Sequence, residues 1–481
     1  MAGRFDDNLL VIGGGSAGLI AAYVAATVRA RVTLVEAGRM GGDCLNTGCV
    51  PSKTLIRCAR VAHTVRTAQR HGIRAAEPEV DFPEVMRRVR RAIETIAPKD
   101  SMERYESLGV RCVAGRARLI DGHRAAVGDR VLSARRIVLA TGAVPVVPPI
   151  PGLDAVRPLT SENVWALDAL PRRLLVLGGG PIGCELAQAF QRLGSAVTLI
   201  DLEPRLLPRE DPDVSAHLEA ALRAEGLDLR LGHRAVGVTP AEAPGAGVLR
   251  AEAAGETAEL PFDRILVAVG RRPFTEGLGL DALGIETGPD GAVRVDRYLR
   301  TTCPSVYACG DLVGPYQFTH MASHQAWYAA VNALFGGLRR FAVNYDVVPW
   351  VTFTDPEVAR VGLSEAQAAA EGRRVEVIRY PLSDLDRAVA EGATDGWVKL
   401  ITEPGRDRLL GATIVAPGAG EMIAEPILAM SHRLGLGKLL RTIHVYPTMT
   451  EAVKLSAGAW RRAHVPERLL GLVGRLHALL R

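Results

Sequence analysis

Seven of the 481 residues are cysteine and 5% are aromatic, and both scarcities narrow the possible chemistry. None of Cys58, Cys112, Cys184, Cys303 and Cys309 has a neighbour at zinc-ligand spacing, so no metal centre is expected. No cysteine follows Cys309. Arg87, Arg88, Arg90 and Arg91 have no interleaved aromatics on which bases would stack, so they are expected to form a solvated helix face, and no nucleic-acid partner is expected. A formal net charge of +5 gives no reason to expect one either. No apolar run approaches the roughly 18 residues that span a bilayer. The start, Arg4-Phe5-Asp6-Asp7 and then a strand, does not read as a secretory signal, so a cytoplasmic location is expected. In a reducing compartment, paired cysteines point to catalysis rather than to a structural bridge.

What the sequence holds is glycine and alternation. Fifty glycines and 48% hydrophobic residues fit an α/β enzyme, and the length suits about three domains. Asn8 to Ile12 reads as a buried strand, followed by Gly13-Gly14-Gly15-Ser16-Ala17-Gly18, an apolar helix from Leu19 to about Val28, and a strand from Arg31 to Val35 that ends at Glu36. This is a glycine turn in the context that lets a pyrophosphate sit on a helix N-terminus while the acid takes a ribose hydroxyl. The unit recurs. Leu174 to Leu177 leads to Gly178-Gly179-Gly180-Pro181-Ile182-Gly183, a helix from Cys184 to Leu193, and a strand from Ala196 to Ile200 ending at Asp201. Gly13 to Glu36 and Gly178 to Asp201 are each 23 positions apart, so two dinucleotide sites are expected in one chain.

Between these units stands Gly41-Gly42-Asp43-Cys44-Leu45-Asn46-Thr47-Gly48-Cys49-Val50-Pro51-Ser52-Lys53. A helix is expected from Thr54 to about Gln69. A helix N-terminus and a nearby cation both lower a thiol pKa, and Cys49 has both, with Lys53 close behind. Cys44 and Cys49 therefore read as a redox pair cycling between disulfide and dithiol. The competing readings are two unrelated buried cysteines or half of a zinc site.

The cysteine run resembles the active-site signature of the class I FAD-dependent pyridine nucleotide-disulfide oxidoreductases, a family that includes mercuric reductase and dihydrolipoamide dehydrogenase. The resemblance covers about residues 8 to 458. It implies an α/β fold with two Rossmann-like dinucleotide-binding domains plus a C-terminal α+β dimerisation domain. The expected segments are 1–150 and 274–343 for the two parts of the FAD domain and 151–273 for the NAD(P) domain. Residues 344–462 form the interface domain of a homodimer, and 463–481 a helical tail. The strand running into Ala140-Thr141-Gly142 and the run Thr301 to Asp311 resemble further flavin motifs, with Asp311 on the ribityl chain. FAD contacts are implied at Gly13, Gly15, Ser16, Ala17, Gly18, Glu36, Gly42, Lys53, Thr141, Gly142, Gly310 and Asp311. Nicotinamide-cofactor contacts are implied at Gly178, Gly180, Gly183, Asp201 and Gly270.

The family pattern implies electron flow from nicotinamide through flavin to the cysteines. Cys49 would lie against the flavin and Cys44 would exchange with substrate, with Lys53 near flavin N5 and Glu185 pairing with that lysine. Asp201 accepts a ribose 2′-hydroxyl and repels a 2′-phosphate, which favours NADH; Arg205 and Arg209 nearby keep NADPH open.

The chain departs from the family where its disulfide reductases carry a His-Pro-Thr base. Here Tyr446 precedes Pro447 and Thr448, with Glu451 retained. A phenol of ordinary pKa about 10 is a poor proton shuttle. Mercuric reductase resembles this chain at that point, and soft thiolates suit a soft metal ion. His444 is the candidate substitute base. The expected acceptor is a small-molecule or protein thiol/disulfide or Hg(II). The alternatives are a dihydrolipoamide dehydrogenase-like enzyme and a flavoprotein carrying electrons to a protein partner. Leu469, Leu472, Leu476 and Leu479 recur at helical spacing in the tail, which packs on its own dimer or docks on a membrane surface or a partner.

Overall fold

A computed structural model describes residues 5–481, except for the side chain of Leu469; Arg4 and the Leu469 position of the tail stripe lie outside what is described. Two compact units emerge, residues 1–204 with 227–344, and residues 205–226 with 345–481.

In the first unit, β1 (Asp7–Ile12) is buried from Leu9 onward, as a central strand covered on both faces must be. It pairs in parallel with β2 (Val32–Glu36), and α1 (Ser16–Thr27) makes the crossover. The strand Val110–Ala114 extends the sheet beyond β2, and Arg130–Leu139 lies on the other side of β1. Val306–Ala308 adds to this sheet in parallel beside Arg130–Leu139, so the chain returns to its first sheet after building a second. That second sheet is wholly parallel, in the order Asp228–Leu231, Ala196–Asp201, Arg173–Leu177, Arg264–Val267. The helix Pro181–Leu193 repeats the α1 crossover. An antiparallel meander of Arg234–Pro240, Gly247–Ala253 and Glu256–Phe262 is inserted before the last strand.

A short helix and a long one carry the cysteine run: α2 (Gly42–Asn46) and α3 (Cys49–Thr67). The sequence predicts the second helix only from Thr54, after the Val50-Pro51-Ser52-Lys53 run. The first turn of a helix has no internal use for its N–H groups, so Pro51 is accommodated there and the helix begins at Cys49 itself. The arginine-rich helix Phe82–Ile96 buries Phe82, Met86, Val89 and Ile93 and turns Arg87 and Arg91 outward, where both pair with Glu84 at 2.6 Å.

The second unit is an antiparallel sheet in the order Pro349–Thr352, Glu357–Gly362, Leu409–Ala416, Trp397–Thr402, Glu376–Pro381, packed against helices that include Glu451–Ala463. The segment 205–226 joins it through buried charges. Lys399, 1% exposed, reaches Asp211 at 3.1 Å, Asp213 at 2.8 Å and also Glu365; Arg360 lies 3.4 Å from Glu210. Cations this deeply buried are stable only when paired, which ties the helix Pro212–Ala224 to the sheet. No helix among the described residues is long and apolar enough to cross a membrane.

Candidate active site

The two glycine turns are built alike at their first and last glycines. Gly13 and Gly178 have φ of 109° and 116°, and a Cβ there would meet the carbonyl oxygens of Ala140 and Ala268 at 2.3 and 2.4 Å. A Cβ on Gly18 or Gly183 would collide with the carbonyl of the first glycine at 1.7 or 1.9 Å. Glycine is therefore required at both places in both turns. Glu36 accepts the Gly14 N–H and, at 2.6 Å, the Gly38 N–H. Asp201 accepts the Gly179 N–H and, at 2.8 Å, the Glu203 N–H. Each acid is thus fixed at the rim of its own turn, and the N-termini of α1 and of Pro181–Leu193 follow at once. Gly15 and Gly42 pack face to face, since a Cβ on Gly42 would lie 2.6 Å from the Gly15 Cα. These backbones fit a dinucleotide in each turn.

Gly15 and Gly42 also bring the first turn against α2, which carries Cys44. Cys49, Thr319 and Ser16 are the polar groups that act on the Cys44 thiol. Cys49, at the first position of α3, is exposed and lies 3.3 Å from the Thr319 hydroxyl. The thiol proton stays on Cys44, whose pKa rises through its bond to Cys49, burial and the neighbouring negative charge. Cys49 becomes the thiolate. Its interaction with Cys44, then the hydrogen bond from Thr319 and the charge of Lys53, hold its pKa down at about 6 against the desolvation of the sulfur by its surroundings and against Glu185. Lys53 Nζ meets Glu185 Oε2 at 2.8 Å, so the lysine–glutamate pair expected from the sequence is formed, with Glu185 buried.

Thr141 and Gly142 lock onto Phe274. The Thr141 hydroxyl donates to its carbonyl at 2.7 Å, and the Phe274 N–H donates to Gly142 O at 2.9 Å. The Gly310 N–H donates to Gln325 at 2.7 Å, and burial pushes the adjoining Asp311 carboxyl up to about 6, with Arg271 opposing. Gly270 has φ of 132° and open space where a Cβ would stand, and Gly180 has open space there too.

Three residues at this site escape a reading of the sequence. Thr319 opens the helix Thr319–Phe335, 270 positions from the cysteine it touches. Arg271 bonds Asp43 of α2 and, at 2.6 Å, the Ala143 carbonyl. Trp165 donates to the carbonyl of Thr47, between the cysteines, at 2.8 Å. Ala17, inside the first turn of α1, is buried and lies against Gly310.

The remaining expected residues lie in the second unit. Tyr446, 67% exposed, donates its hydroxyl to Asp386 at 2.9 Å, and that carboxylate raises the phenol pKa. His444 is turned inward, with Nδ1 3.0 Å from the Thr442 carbonyl and Nε2 2.9 Å from Glu425. The two side chains do not share a side of the segment, because the run is irregular rather than pleated. Glu451 accepts the Thr448 N–H at 3.1 Å and opens the helix Glu451–Ala463.

Known proteins resemble this chain over most of its length. Residues 7–326 match the pyridine nucleotide-disulphide oxidoreductase family and residues 348–457 its dimerisation domain. The chain is 39% identical to the mercuric reductase of Streptomyces lividans over 462 residues, covering 94% of this chain and 95% of that protein. It is 36% identical to the dihydrolipoyl dehydrogenase of Thermus scotoductus, covering 94% and 97%. Among solved structures it is similar to LpdA of Mycobacterium tuberculosis (TM-score 0.85, 30% identity, covering 94% and 99%). It is also similar to the HOCl-induced flavoprotein disulfide reductase RclA of Escherichia coli in its Cu(II) complex (TM-score 0.84, 30% identity, covering 95% and 100%). With its duplicated dinucleotide turns and its thiolate beside the first of them, the chain belongs to the pyridine nucleotide-disulphide oxidoreductase family, as an FAD- and NAD(P)H-dependent oxidoreductase with that family's dimerisation domain.

Proposed function

We propose that this oxidoreductase passes two electrons from its Cys44–Cys49 pair to a soft acceptor, Hg(II) in the first place or a disulfide. The observation that carries the reading is Cys49, held as a thiolate near neutral pH by Cys44, Thr319 and Lys53. Thiolates are both the ligands that soft metal ions prefer and the form that attacks disulfides. When bound, FAD takes a hydride from the nicotinamide and relays two electrons to the cysteine pair. The chain's own residues do the rest. Glu36 and Asp201 orient the two nucleotides, and Asp201 favours NADH. Glu185 fixes Lys53, whose charge holds Cys49 ionised, and Cys44 keeps its proton until exchange. In each turnover the two cysteines lose two electrons and the one proton that Cys44 holds, and form an S–S bond. Hg(II) takes the electrons to become Hg(0) while the proton goes to solvent, or an acceptor disulfide takes the electrons, that proton and one more from solvent to become two thiols.

Tyr446 favours the metal ion. Its phenol is held protonated by Asp386, so an acceptor that needs no proton shuttle suits it better than a dithiol substrate. We also infer a homodimer. Ile443, Val445 and Tyr446 are 94, 77 and 67% exposed in one run of the dimerisation domain, which a partner subunit would cover. A second reading, dihydrolipoamide oxidation, rests on His444 and Glu425, a histidine–carboxylate couple two residues before Tyr446.

The test is anaerobic turnover of the holoenzyme with Hg(II) and NADH beside turnover with dihydrolipoamide and NAD⁺. Faster Hg(II) reduction supports the first reading. Faster dihydrolipoamide oxidation, abolished by His444→Ala, supports the second. A holoenzyme reduced by NADH that turns over neither sinks both and leaves a protein acceptor.

A further inference from the structure

The dimerisation domain ends its match at residue 457, and the chain then builds a separate helix, Glu467–Leu479. At about 100° per residue, Leu472, Val473, Leu476 and Leu479 fall within an arc of about 120°. They are 62, 41, 55 and 83% exposed. Gly471, Gly474 and Ala478 occupy the opposite face, and Arg468 and Arg475 border the apolar arc. The helix holds one acid, Glu467, against those two arginines, with Arg481 just beyond.

The helix springs from a fixed root. Trp460 and His464 stack at 4.3 Å, and Glu376 accepts from both, at 3.3 and 3.1 Å. Trp460 also lines a cavity of about 880 Å³ walled by Arg406, Arg408, Arg441 and Arg461 against Glu403 and Asp407. Glu403 pairs with Arg408 at 3.1 Å and Arg406 at 3.5 Å. Arg441 and Arg461 add their charges to the wall, so cations exceed acids in it.

We infer that this tail helix and the arginine groove at its root dock the enzyme on an anionic phospholipid surface. The apolar arc enters the headgroup–acyl boundary, the bordering arginines reach lipid phosphates, and the groove adds electrostatic attraction. Pairing with the tail of a second copy is the poorer fit, since an antiparallel pair would set Arg468 of one helix near Arg475 of the other. One helix this short binds weakly; two tails on a dimer bind together.

The test is co-sedimentation of the full-length holoenzyme with phosphatidylglycerol vesicles and with phosphatidylcholine vesicles. The expected result is sedimentation with the first, weakened by high salt, and much less with the second. Leu472→Asp with Leu476→Asp abolishes it, while Arg441→Glu with Arg461→Glu lowers the affinity about tenfold or more. NADH-dependent flavin reduction is unchanged in both variants. The inference is overturned if the wild type stays in the supernatant, if both vesicles bind it equally, or if the leucine variant still sediments. A leucine variant that becomes monomeric by light scattering also overturns it, since the helix would then serve the dimer.

Discussion

The Thr319 hydroxyl stands 3.3 Å from Cys49 Sγ, joining the first residue of one helix to the first residue of another. A hydroxyl donor at this distance stabilises the thiolate, so Thr319→Val should raise the Cys49 pKa and Thr319→Ser should restore it. The readout is the pH dependence of alkylation of the reduced enzyme. In the wild type the Cys49 rate should be half-maximal near pH 6, with the reactive thiolate present above that pH and lost below it. The valine variant moves the midpoint upward; an unmoved midpoint denies Thr319 the role.

Cys44 is the larger donor. Cys44→Ala removes its hydrogen bond and should raise the Cys49 midpoint more than Thr319→Val does, whereas Cys44→Ser keeps a hydroxyl donor and should raise it less. The ranking is checked by the same alkylation profile in the three proteins.

Lys53→Met should act twice. The Cys49 midpoint rises because a nearby cation is lost, and Glu185, 7% exposed, loses its ion pair with Lys53. Stability should fall by about 1–3 kcal/mol, tempered because Lys53 is itself a third exposed. Thermal unfolding of the holoenzyme measures the second effect independently of the first.

Lys399→Met tests the buried charges of the second unit. Removing this cation strands Asp211, itself 2% exposed, and should cost about 3–5 kcal/mol, seen as a lower unfolding temperature. A change no larger than that of a surface substitution would show that the network contributes nothing.

Cofactor choice is read from Asp201. Asp201→Asn keeps the hydrogen-bonding shape but removes the charge that repels a 2′-phosphate. The NADH-to-NADPH ratio of kcat/KM should fall about tenfold, an effect of about 1.4 kcal/mol.

The local parts of this molecule were legible in the sequence, and the distant ones were not. Glycine turns and terminal acids are determined within a few residues of chain, so the elements of both dinucleotide units were expected within three positions of where they stand. The Lys53–Glu185 pair came from family resemblance, since nothing local connects residues 132 positions apart. Thr319, Arg271 and Trp165 were invisible because each acts through tertiary contact with the cysteine run. The start of α3 lies five residues before the expected Thr54, because the first turn of a helix tolerates Pro51. The inward turn of His444 depends on Glu425, 19 residues earlier, and on an irregular backbone that periodicity does not describe.

The assignment of Cys44 and Cys49 as the redox pair is tested directly by anaerobic titration of the oxidised holoenzyme with NADH. The wild type should consume a second equivalent of NADH per FAD to reduce the cysteines, and a long-wavelength thiolate-to-flavin absorbance should appear after the first. Cys49→Ser should stop at one equivalent and show no such band. A wild type that stops at one equivalent, or a band that survives in Cys49→Ser, would contradict the assignment.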